Sequence, residues 1–298
     1  MATRVSFDEV RNNNIRSFVL IFFFIALMAL IGAAIGWVWD SILFGMFLTL
    51  IAASVYALIA YIQGRTMLTR MTGARPLTKQ EYPHAYHAIE GLSMAAGIPT
   101  PKMYVIDAPA LNAFATGRNP DDGAVVLTTG IIQKLNREEL EGVIAHELAH
   151  IKNYDIRVMM IAAVITGVIL FLSQFLLRSF LFSNNRNSNR DGRMQAIGIL
   201  LAIVLAILSP IISEMIRLGI SRKREYAADA GAATFTRNPR GLANALRKIS
   251  GDTQAEVLAN AATNHLYISN PSKKKSFWKN AFSTHPPTEE RIKRLEQM

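Results

Sequence analysis

Four long apolar runs constrain this chain more than any other feature of its sequence. They cover about residues 18–39, 42–62, 158–182 and 194–220. A helix needs about 20 consecutive apolar residues to cross the ~30 Å hydrocarbon core of a bilayer, and each run has that length. The sequence therefore predicts a mainly α integral membrane protein with four transmembrane helices.

A cleaved signal peptide is the alternative interpretation of the first run. Its apolar stretch is longer than the one that such peptides carry. The second run also follows at once, with only Asp40 and Ser41 between the two. We therefore expect residues 18–62 to form a tight transmembrane hairpin.

Basic residues predict which side of the membrane the other segments occupy. The turn between the first two runs contains no Lys or Arg, whereas the outer flanks contain Arg4, Arg11, Arg16, Arg65, Arg70, Arg75 and Lys79. Cytoplasmic loops of membrane proteins are enriched in Lys and Arg. We therefore expect a cytoplasmic tail at residues 1–17. Residues 63–157 and 221–298 are expected to form one cytoplasmic α+β domain from two separated segments.

The connection between the third and fourth runs gives a conflicting signal. It contains Arg186, Arg190 and Arg193, which favour a cytoplasmic loop and re-entrant runs. Both runs are nevertheless long and almost uncharged. We therefore expect residues 158–220 to form a second transmembrane hairpin, kinked at Pro210.

The net charge of +10 bears on the kind of partner. The basic residues flank the apolar runs and do not form one stripe with interleaved aromatic residues. This distribution fits attraction to anionic membrane lipid and argues against nucleic-acid binding.

The pentapeptide His146-Glu147-Leu148-Ala149-His150 indicates the chemistry of the protein. The chain has no cysteine, so any zinc site must use His and carboxylate ligands. Asn136 and Glu139 have the spacing of a capping box that starts a helix. On that helix His146 and His150 are four residues apart on one face, and Glu147 projects beside them as a general base. The pattern indicates a catalytic zinc site; two surface histidines are the alternative.

A catalytic zinc site usually has a third protein ligand. The position at which one class of zinc peptidases has a third His is occupied here by Ile156. Glu225, just past the fourth run, is the best candidate. Asp229, one turn further on, and more weakly Asp155, are candidates to accept a hydrogen bond from a ligand His and orient it.

The positions of these residues also test the topology. His146 precedes the third run and Glu225 follows the fourth. Both can bind one ion only if an even number of membrane crossings separates them, which two spans or none would satisfy. The site is therefore expected close to the cytoplasmic face of the plasma membrane.

Over nearly its whole length the chain resembles the HtpX family of membrane metalloproteases, relatives of the CAAX prenyl proteases. The matching segments are His146-Glu147-Leu148-Ala149-His150, Asn153, Asp155, Glu225, Asp229, Asn112-Ala113-Phe114-Ala115-Thr116-Gly117, and Thr284-His285-Pro286-Pro287 with Arg291-Ile292. The resemblance implies zinc ligation by His146, His150 and Glu225, and catalysis by Glu147. It also implies a role in degrading misfolded or damaged membrane proteins.

The predicted reaction is metal-assisted hydrolysis of a peptide bond. A zinc ion lowers the pKa of a water molecule to roughly 7 and polarises the scissile carbonyl. Glu147 would take a proton from the water and deliver it to the leaving amine. His285, beside a rigid Pro-Pro, is the candidate for stabilising the oxyanion, with a structural role in a turn as the alternative.

Short strands are predicted at Lys102–Asp107, Asn112–Thr116 and Ala124–Thr129. The second could be an edge strand that pairs with an extended substrate, or an ordinary internal strand; the resemblance favours the former. Its substrate-binding residues would then be Asn112, Ala113, Phe114 and Ala115. His84 and His87 are alternative metal ligands, but no nearby carboxylate completes a site beyond Glu81 and Glu90, and a solvated helix face explains them better.

Two other functions compete with a quality-control protease for unfolded or membrane proteins. One is a prenyl-protein or site-specific membrane peptidase, although those relatives tend to have more spans. The other is a non-catalytic membrane scaffold that binds zinc. A structural zinc site has no need of the carboxylate of Glu147 between its ligands, which argues against the scaffold.

Overall fold

The computed structural model describes residues 2–38, 40–161, 222–252 and 286–298, together with residues 165, 169, 178, 200 and 204. Two long helices open the chain, α1 (Ala2–Val38) and α2 (Ile42–Met71). Asp40, with a φ of 54°, lies in the turn between them. The two helices pack against each other so closely that a Cβ on Gly45 would lie 2.5 Å from the Cα of Gly36. Only glycine permits this approach of the two backbones.

One stretch in the described part of the chain has the length and composition of a membrane span. It is Ile42–Ile59, 18 residues with a mean hydropathy of 2.4, of which 11% is buried inside the protein. The apolar part of α1, Ser17–Ala33, is shorter. Nearly all of the predicted third and fourth spans, with Pro210 and the loop between them, lies outside the described residues.

The second helix continues past the predicted end of its span at residue 62. Residues 63–71 extend it by more than two turns, and Leu68 in this extension is 1% exposed. The extension leads directly into a four-stranded sheet. The hairpin and the rest of the protein are therefore joined by a continuous helix.

The sheet has the strand order β1-β2-β4-β3, with β1 (Arg75–Pro76), β2 (Lys102–Ile106), β3 (Ala113–Thr116) and β4 (Ala124–Thr128). The pair β2–β4 is parallel, and β3 pairs antiparallel with β4. The three predicted strands are confirmed, each with slightly shorter bounds. Within the described residues β3 is an edge strand.

Both faces of this sheet are covered. Alternate strand residues, among them Val105, Leu127 and Ala113, belong to a core shared with the helices that follow the sheet. The intervening residues, among them Phe114 and Val126, belong to a second core with residues of α1 and α2. Successive side chains of a strand point to opposite faces, so burial on both sides explains the continuously apolar strand sequences.

The remaining helices surround the sheet on the side of the first core. They are α3 (Pro83–Ala96), α4 (Thr129–Lys134), α5 (Arg137–Lys152), α6 (Arg222–Thr236), α7 (Pro239–Gly251) and α8 (Thr288–Glu296). Helix α5 is central, because it packs against α3, α6, α7 and β3. Helix α8 packs on α6 and α7. Residues on either side of the third and fourth apolar runs therefore contribute to one packed unit.

Candidate metal centre

The pentapeptide lies on helix α5, as predicted, in its C-terminal half. The Asn136 side chain accepts a hydrogen bond from the backbone N–H of Glu139, and Glu139 accepts one in return from the backbone N–H of Asn136. This capping box starts the helix where the sequence predicts it. His146 and His150 project from one face of the helix and are 1% and 4% exposed. Their Nε2 atoms lie 3.2 Å apart.

Glu225, in the first turn of α6, meets both histidines. Its carboxylate oxygens lie 3.7 Å from His146 Nε2 and 3.6 Å from His150 Nε2, and its side chain is fully buried. The three groups form the one cluster of three metal-binding side chains in the described part of the chain, with ligand atoms within 4.8 Å of one another. Packing of α6 against α5 brings Glu225 to this position from 75 residues beyond His150 in the chain.

The spacing of these atoms fits a zinc ion. Zinc bonds to nitrogen and oxygen are about 2.0–2.2 Å long, so a tetrahedral ion holds its ligand atoms about 3.3–3.5 Å apart. The three observed separations of 3.2, 3.6 and 3.7 Å bracket this value. The donors also have the chemistry of such a site, with two imidazoles and a carboxylate.

Two further carboxylates contact the histidines. Asp155 Oδ2 lies 2.9 Å from His150 Nδ1, and Asp229 Oδ1 lies 3.1 Å from His146 Nδ1. A proton on each Nδ1 leaves the lone pair of Nε2 directed at the metal position. The sequence proposed both carboxylates with Asp155 as the weaker, yet the structure places the two in equivalent positions.

Two buried arginines lie at the site without a role predicted from the sequence, where Arg291 appears only in a segment that matches the family and Arg224 was not singled out. Arg291 of α8 is 2% exposed, and its guanidinium contacts Asp229 at 2.7 Å and Glu225 at 3.5 Å. Arg224 is 3% exposed and lies 3.4 Å from Asp155. Arg291 precedes the buried Leu295 by four residues, so it shares the inward face of a helix that is otherwise charged. That spacing could have identified Arg291; no comparable signal marks Arg224.

The charges of the site favour a divalent cation. Four buried carboxylates, those of Glu147, Asp155, Glu225 and Asp229, face the two guanidinium groups of Arg224 and Arg291. With neutral histidines these six side chains of the described residues sum to a charge of −2, and buried charge is strongly unfavourable unless it is paired. A divalent ion at the His146–His150–Glu225 cluster balances it.

The pKa values of the site reflect these contacts. Burial alone lowers the pKa of His150, but the hydrogen bond with Asp155 and the charges of Glu225, Asp155 and Glu147 outweigh it and raise the pKa to about 9. Burial alone raises the pKa of Asp229, but the charge of Arg291 and the hydrogen bonds with His146 and Arg291 lower it to about 2. Asp229 is therefore ionised at neutral pH, and His150 holds a proton until a metal displaces it.

Glu147 lies on α5 between the two histidines and is 4% exposed. Its charge is close enough to raise the pKa of both His150 and Arg291. A carboxylate in this position can exchange a proton with a water molecule at the metal.

The predicted substrate strand lies against the same helix, because β3 packs on α5. Asn112 immediately precedes it and is fully buried. Its side-chain oxygen accepts a hydrogen bond from the backbone N–H of Ala113 at 3.0 Å. Its Nδ2 atom is buried and has no hydrogen-bond partner among the described residues. The strand therefore packs on the helix that carries the two histidines, and Ala113, Phe114 and Ala115 follow Asn112 along it.

Other sequence candidates lie elsewhere. His285 is outside the described residues. His87 forms an exposed pair with Glu90 at 3.2 Å, and neither it nor His84 joins a cluster of three metal-binding groups in the described ranges. These two histidines are therefore explained by a solvated face of α3.

Comparison with known proteins identifies relatives of the whole chain. The model of Peptidase family M48 matches residues 80–298. A Protease HtpX homolog from Dictyoglomus thermophilum is 44% identical over 98% of this chain and 94% of its own. A second, from Streptococcus mutans, is 42% identical over 98% of this chain and 99% of its own.

A solved structure has a similar fold. The crystal structure of Ste24p from S. mikatae aligns with a TM-score of 0.52 and 21% sequence identity, covering 97% of this chain and 67% of that protein. At this identity the match is one of fold alone, and it extends over the helical hairpin as well as the metal centre.

Proposed function

The chain belongs to peptidase family M48, within its HtpX group, and on that premise we propose that it is a zinc-dependent endopeptidase that degrades misfolded or damaged membrane proteins. Family membership makes it a membrane-associated metalloprotease. The identity of the metal, the residues that carry the reaction and the substrate class are the proposed parts.

One observation carries the proposal: the ligand atoms of His146, His150 and Glu225 meet at zinc-ligand spacing beside Glu147. A structural zinc site usually has four protein ligands, whereas three leave a position open for a reacting water. The carboxylate of Glu147 beside that position has no use in a scaffold. These features favour a peptidase over a zinc-binding scaffold.

The metal would be held by His146, His150 and Glu225. When bound, zinc supplies a Lewis acid that lowers the pKa of a water molecule to about 7 and polarises the scissile carbonyl. Glu147 takes the proton of the attacking water and delivers it to the leaving amine. Asp155 and Asp229 hold the two imidazoles in the orientation that ligation requires. His285 remains the proposed donor to the oxyanion.

The edge strand supports an extended substrate. The edge of β3 that no described strand pairs with has backbone groups that can pair with a substrate strand, which gives affinity with little sequence selectivity. The buried Nδ2 of Asn112 is a hydrogen-bond donor at the start of this strand. We propose that residues 112–115 bind the substrate backbone next to the metal. Such binding suits the varied sequences of unfolded proteins better than one prenylated motif.

The proposed topology has four spans, with the catalytic unit on the cytoplasmic side. Helices α5 and α6 pack together although residues 158–220, the predicted third and fourth spans, lie between them in the chain. This requires an even number of crossings between them, which two spans satisfy. The second core joins the sheet to Phe24 and Met160, which belong to the first and third apolar runs. The site would therefore lie at the membrane surface, within reach of membrane-protein segments.

The test compares wild type with Glu147→Gln, both purified in detergent. Zinc content is measured by mass spectrometry and cleavage by fluorescence of a labelled unfolded protein. We expect Glu147→Gln to retain zinc and to lose cleavage by at least about a hundredfold, the size of a general-base contribution. Glu141→Gln, on the solvent side of the same helix, is the matched control and should cleave normally. Undiminished cleavage by Glu147→Gln would contradict the mechanism.

A further inference from the structure

Three arginines meet where α2 leaves its apolar stretch. Arg65 Nη1 and Arg118 Nε each lie 2.9 Å from the carboxylate of Asp122. Arg157 donates from Nε to the backbone oxygen of Arg118 at 2.7 Å, and from Nη1 to Asn14 of α1 at 2.7 Å. We call Arg65, Arg118, Arg157 and Asp122 the arginine cluster. Two guanidinium groups contact the one carboxylate and the third contacts the Arg118 backbone, so the four side chains together carry a charge of +2.

A narrow apolar crevice adjoins the arginine cluster. It is lined by Ile21 and Phe24 of α1, by Ala57 and Tyr61 of α2, and by Ile161 and Ile165. Tyr61 joins the two features, because the guanidinium of Arg118 lies 5.5 Å from the centre of its ring. Charge and apolar surface therefore meet at one aromatic side chain.

Helical spacing aligns the two features along the membrane normal. On α2, Ala57, Tyr61 and Arg65 follow each other at intervals of four residues and so share one face. Arg157 and Ile161 have the same spacing on the helix that enters the third apolar run. Each interval rises about 6 Å, so the arginines lie one turn beyond the crevice, on the cytoplasmic side proposed above. This is the depth at which lipid phosphates lie relative to acyl chains.

Two buried polar atoms in this region have no hydrogen-bond partner among the described residues. One is Nε of Arg65, and the other is the hydroxyl of Tyr56, which also lines the crevice. Buried donors are nearly always satisfied in proteins, by protein, water or a ligand. Nε of Arg65 lies at the charged end, where a phosphate could accept its hydrogen bond, and the Tyr56 hydroxyl lies about 13 Å further along α2, in the crevice.

We propose that the arginine cluster and the crevice form a binding site for an anionic phospholipid. The phosphate lies on Arg65 and Arg118, and the part of an acyl chain nearest the headgroup lies against the crevice between α1 and α2. The excess positive charge favours a headgroup with net negative charge and repels the ammonium of a zwitterionic one. The inference requires α2 to cross the membrane, but it is independent of the proposed peptidase activity.

Native mass spectrometry of the full chain in detergent tests the site. Phosphatidylglycerol and phosphatidylcholine with identical acyl chains are titrated separately, as is deacylated glycerophosphoglycerol. We expect phosphatidylglycerol to bind at least about tenfold more tightly than phosphatidylcholine, and the deacylated headgroup not to bind at the same concentration. Equal binding of the two lipids, or equal binding of the free headgroup, would overturn the proposal.

Variants then locate the site. Arg65→Gln with Arg118→Gln should weaken phosphatidylglycerol binding by about tenfold or more, because two cationic contacts are lost. Arg137→Gln with Arg247→Gln removes the same charge from exposed positions and should bind as wild type does. Equal weakening in both double variants, or none in the first, would overturn the proposed location. The comparison of the two lipids on wild type decides the proposal even if the first double variant does not fold.

Discussion

Arg291 and Asp229 form a buried ion pair at 2.7 Å that connects the last helix of the chain to the metal centre. Asp229 in turn contacts His146, and Arg291 also approaches Glu225. The same guanidinium therefore supports one proposed ligand directly and another through its orienting carboxylate. Docking of α8 on α6 is thus part of the construction of the site.

Replacement of Arg291 by Met should destabilise the protein. The change leaves the ionised carboxylate of Asp229 buried without its partner, which costs about 3–5 kcal/mol of unfolding free energy. Chemical denaturation in detergent, followed by circular dichroism, measures the loss. Arg294→Met, on the exposed side of the same helix, is the control. A loss of the same size in both variants would show that the buried pair is not the cause.

Replacement of Glu225 by Gln should lower metal affinity more than any other single change outside the two histidines. A neutral amide is a poor zinc ligand, and the site loses one of the charges that balance a divalent ion. We expect zinc content after purification to fall to about a tenth or less of wild type. Glu289→Gln, exposed on α8, should keep full zinc. Full zinc occupancy in Glu225→Gln would remove Glu225 from the ligand set.

Asp155→Asn and Asp229→Asn should each reduce zinc affinity by about 10–100-fold, because the ligand histidines lose the carboxylates that orient them. Competition with a fluorescent zinc chelator gives the dissociation constants. Asp229→Asn should also lower stability more than Asp155→Asn, since its bond to Arg291 is 2.7 Å whereas Arg224 lies 3.4 Å from Asp155. Unchanged zinc affinity in both variants would contradict the proposed orienting role.

Zinc affinity should depend on pH through His150. The pKa of about 9 in the metal-free protein means that His150 is protonated at pH 7 and must release that proton to bind metal. The dissociation constant should therefore fall about tenfold per pH unit from pH 7 to 9 and then level off.

The charged form of His150 stabilises the metal-free fold below the ordinary pKa of about 6.5, and this stabilisation is lost as the pH rises through 9. Calorimetry in buffers of different ionisation enthalpy counts the released proton, and a count of zero at pH 7 contradicts the assignment.

The helical hairpin should be sensitive to Gly45. An alanine there places its Cβ against the backbone of α1, so Gly45→Ala should lower the midpoint of thermal unfolding. Gly91→Ala is the matched control, because a Cβ at Gly91 meets nothing within 4 Å and the change should stabilise α3 by about 0.5–1 kcal/mol. The two substitutions should therefore shift the midpoint in opposite directions. Shifts of the same sign would mean that the close approach of α1 and α2 does not limit stability.

The sequence by itself determined several features that depend on neighbours in the chain. Helical periodicity put His146, Glu147 and His150 on one face of α5, and the side chains of Asn136 and Glu139 marked its start. Short apolar segments with turn residues between them predicted the three strands, and the lengths of the apolar runs predicted the hairpin of α1 and α2. These features follow from local geometry, in which a spacing of two or four residues decides which side chains share a face.

Only the tertiary structure decided how distant segments complete the site. Arg291 reaches His146 and Asp229 because α8 packs on α6. Asp155 contacts Nδ1 of His150 just as Asp229 contacts Nδ1 of His146, because the chain turns back after α5. The edge position of β3 and the arginine cluster beside Tyr61 likewise depend on packing between separate elements. A buried charge is stable only where its partners converge, and that convergence depends on the relative placement of whole helices, which residue spacing in the chain does not encode.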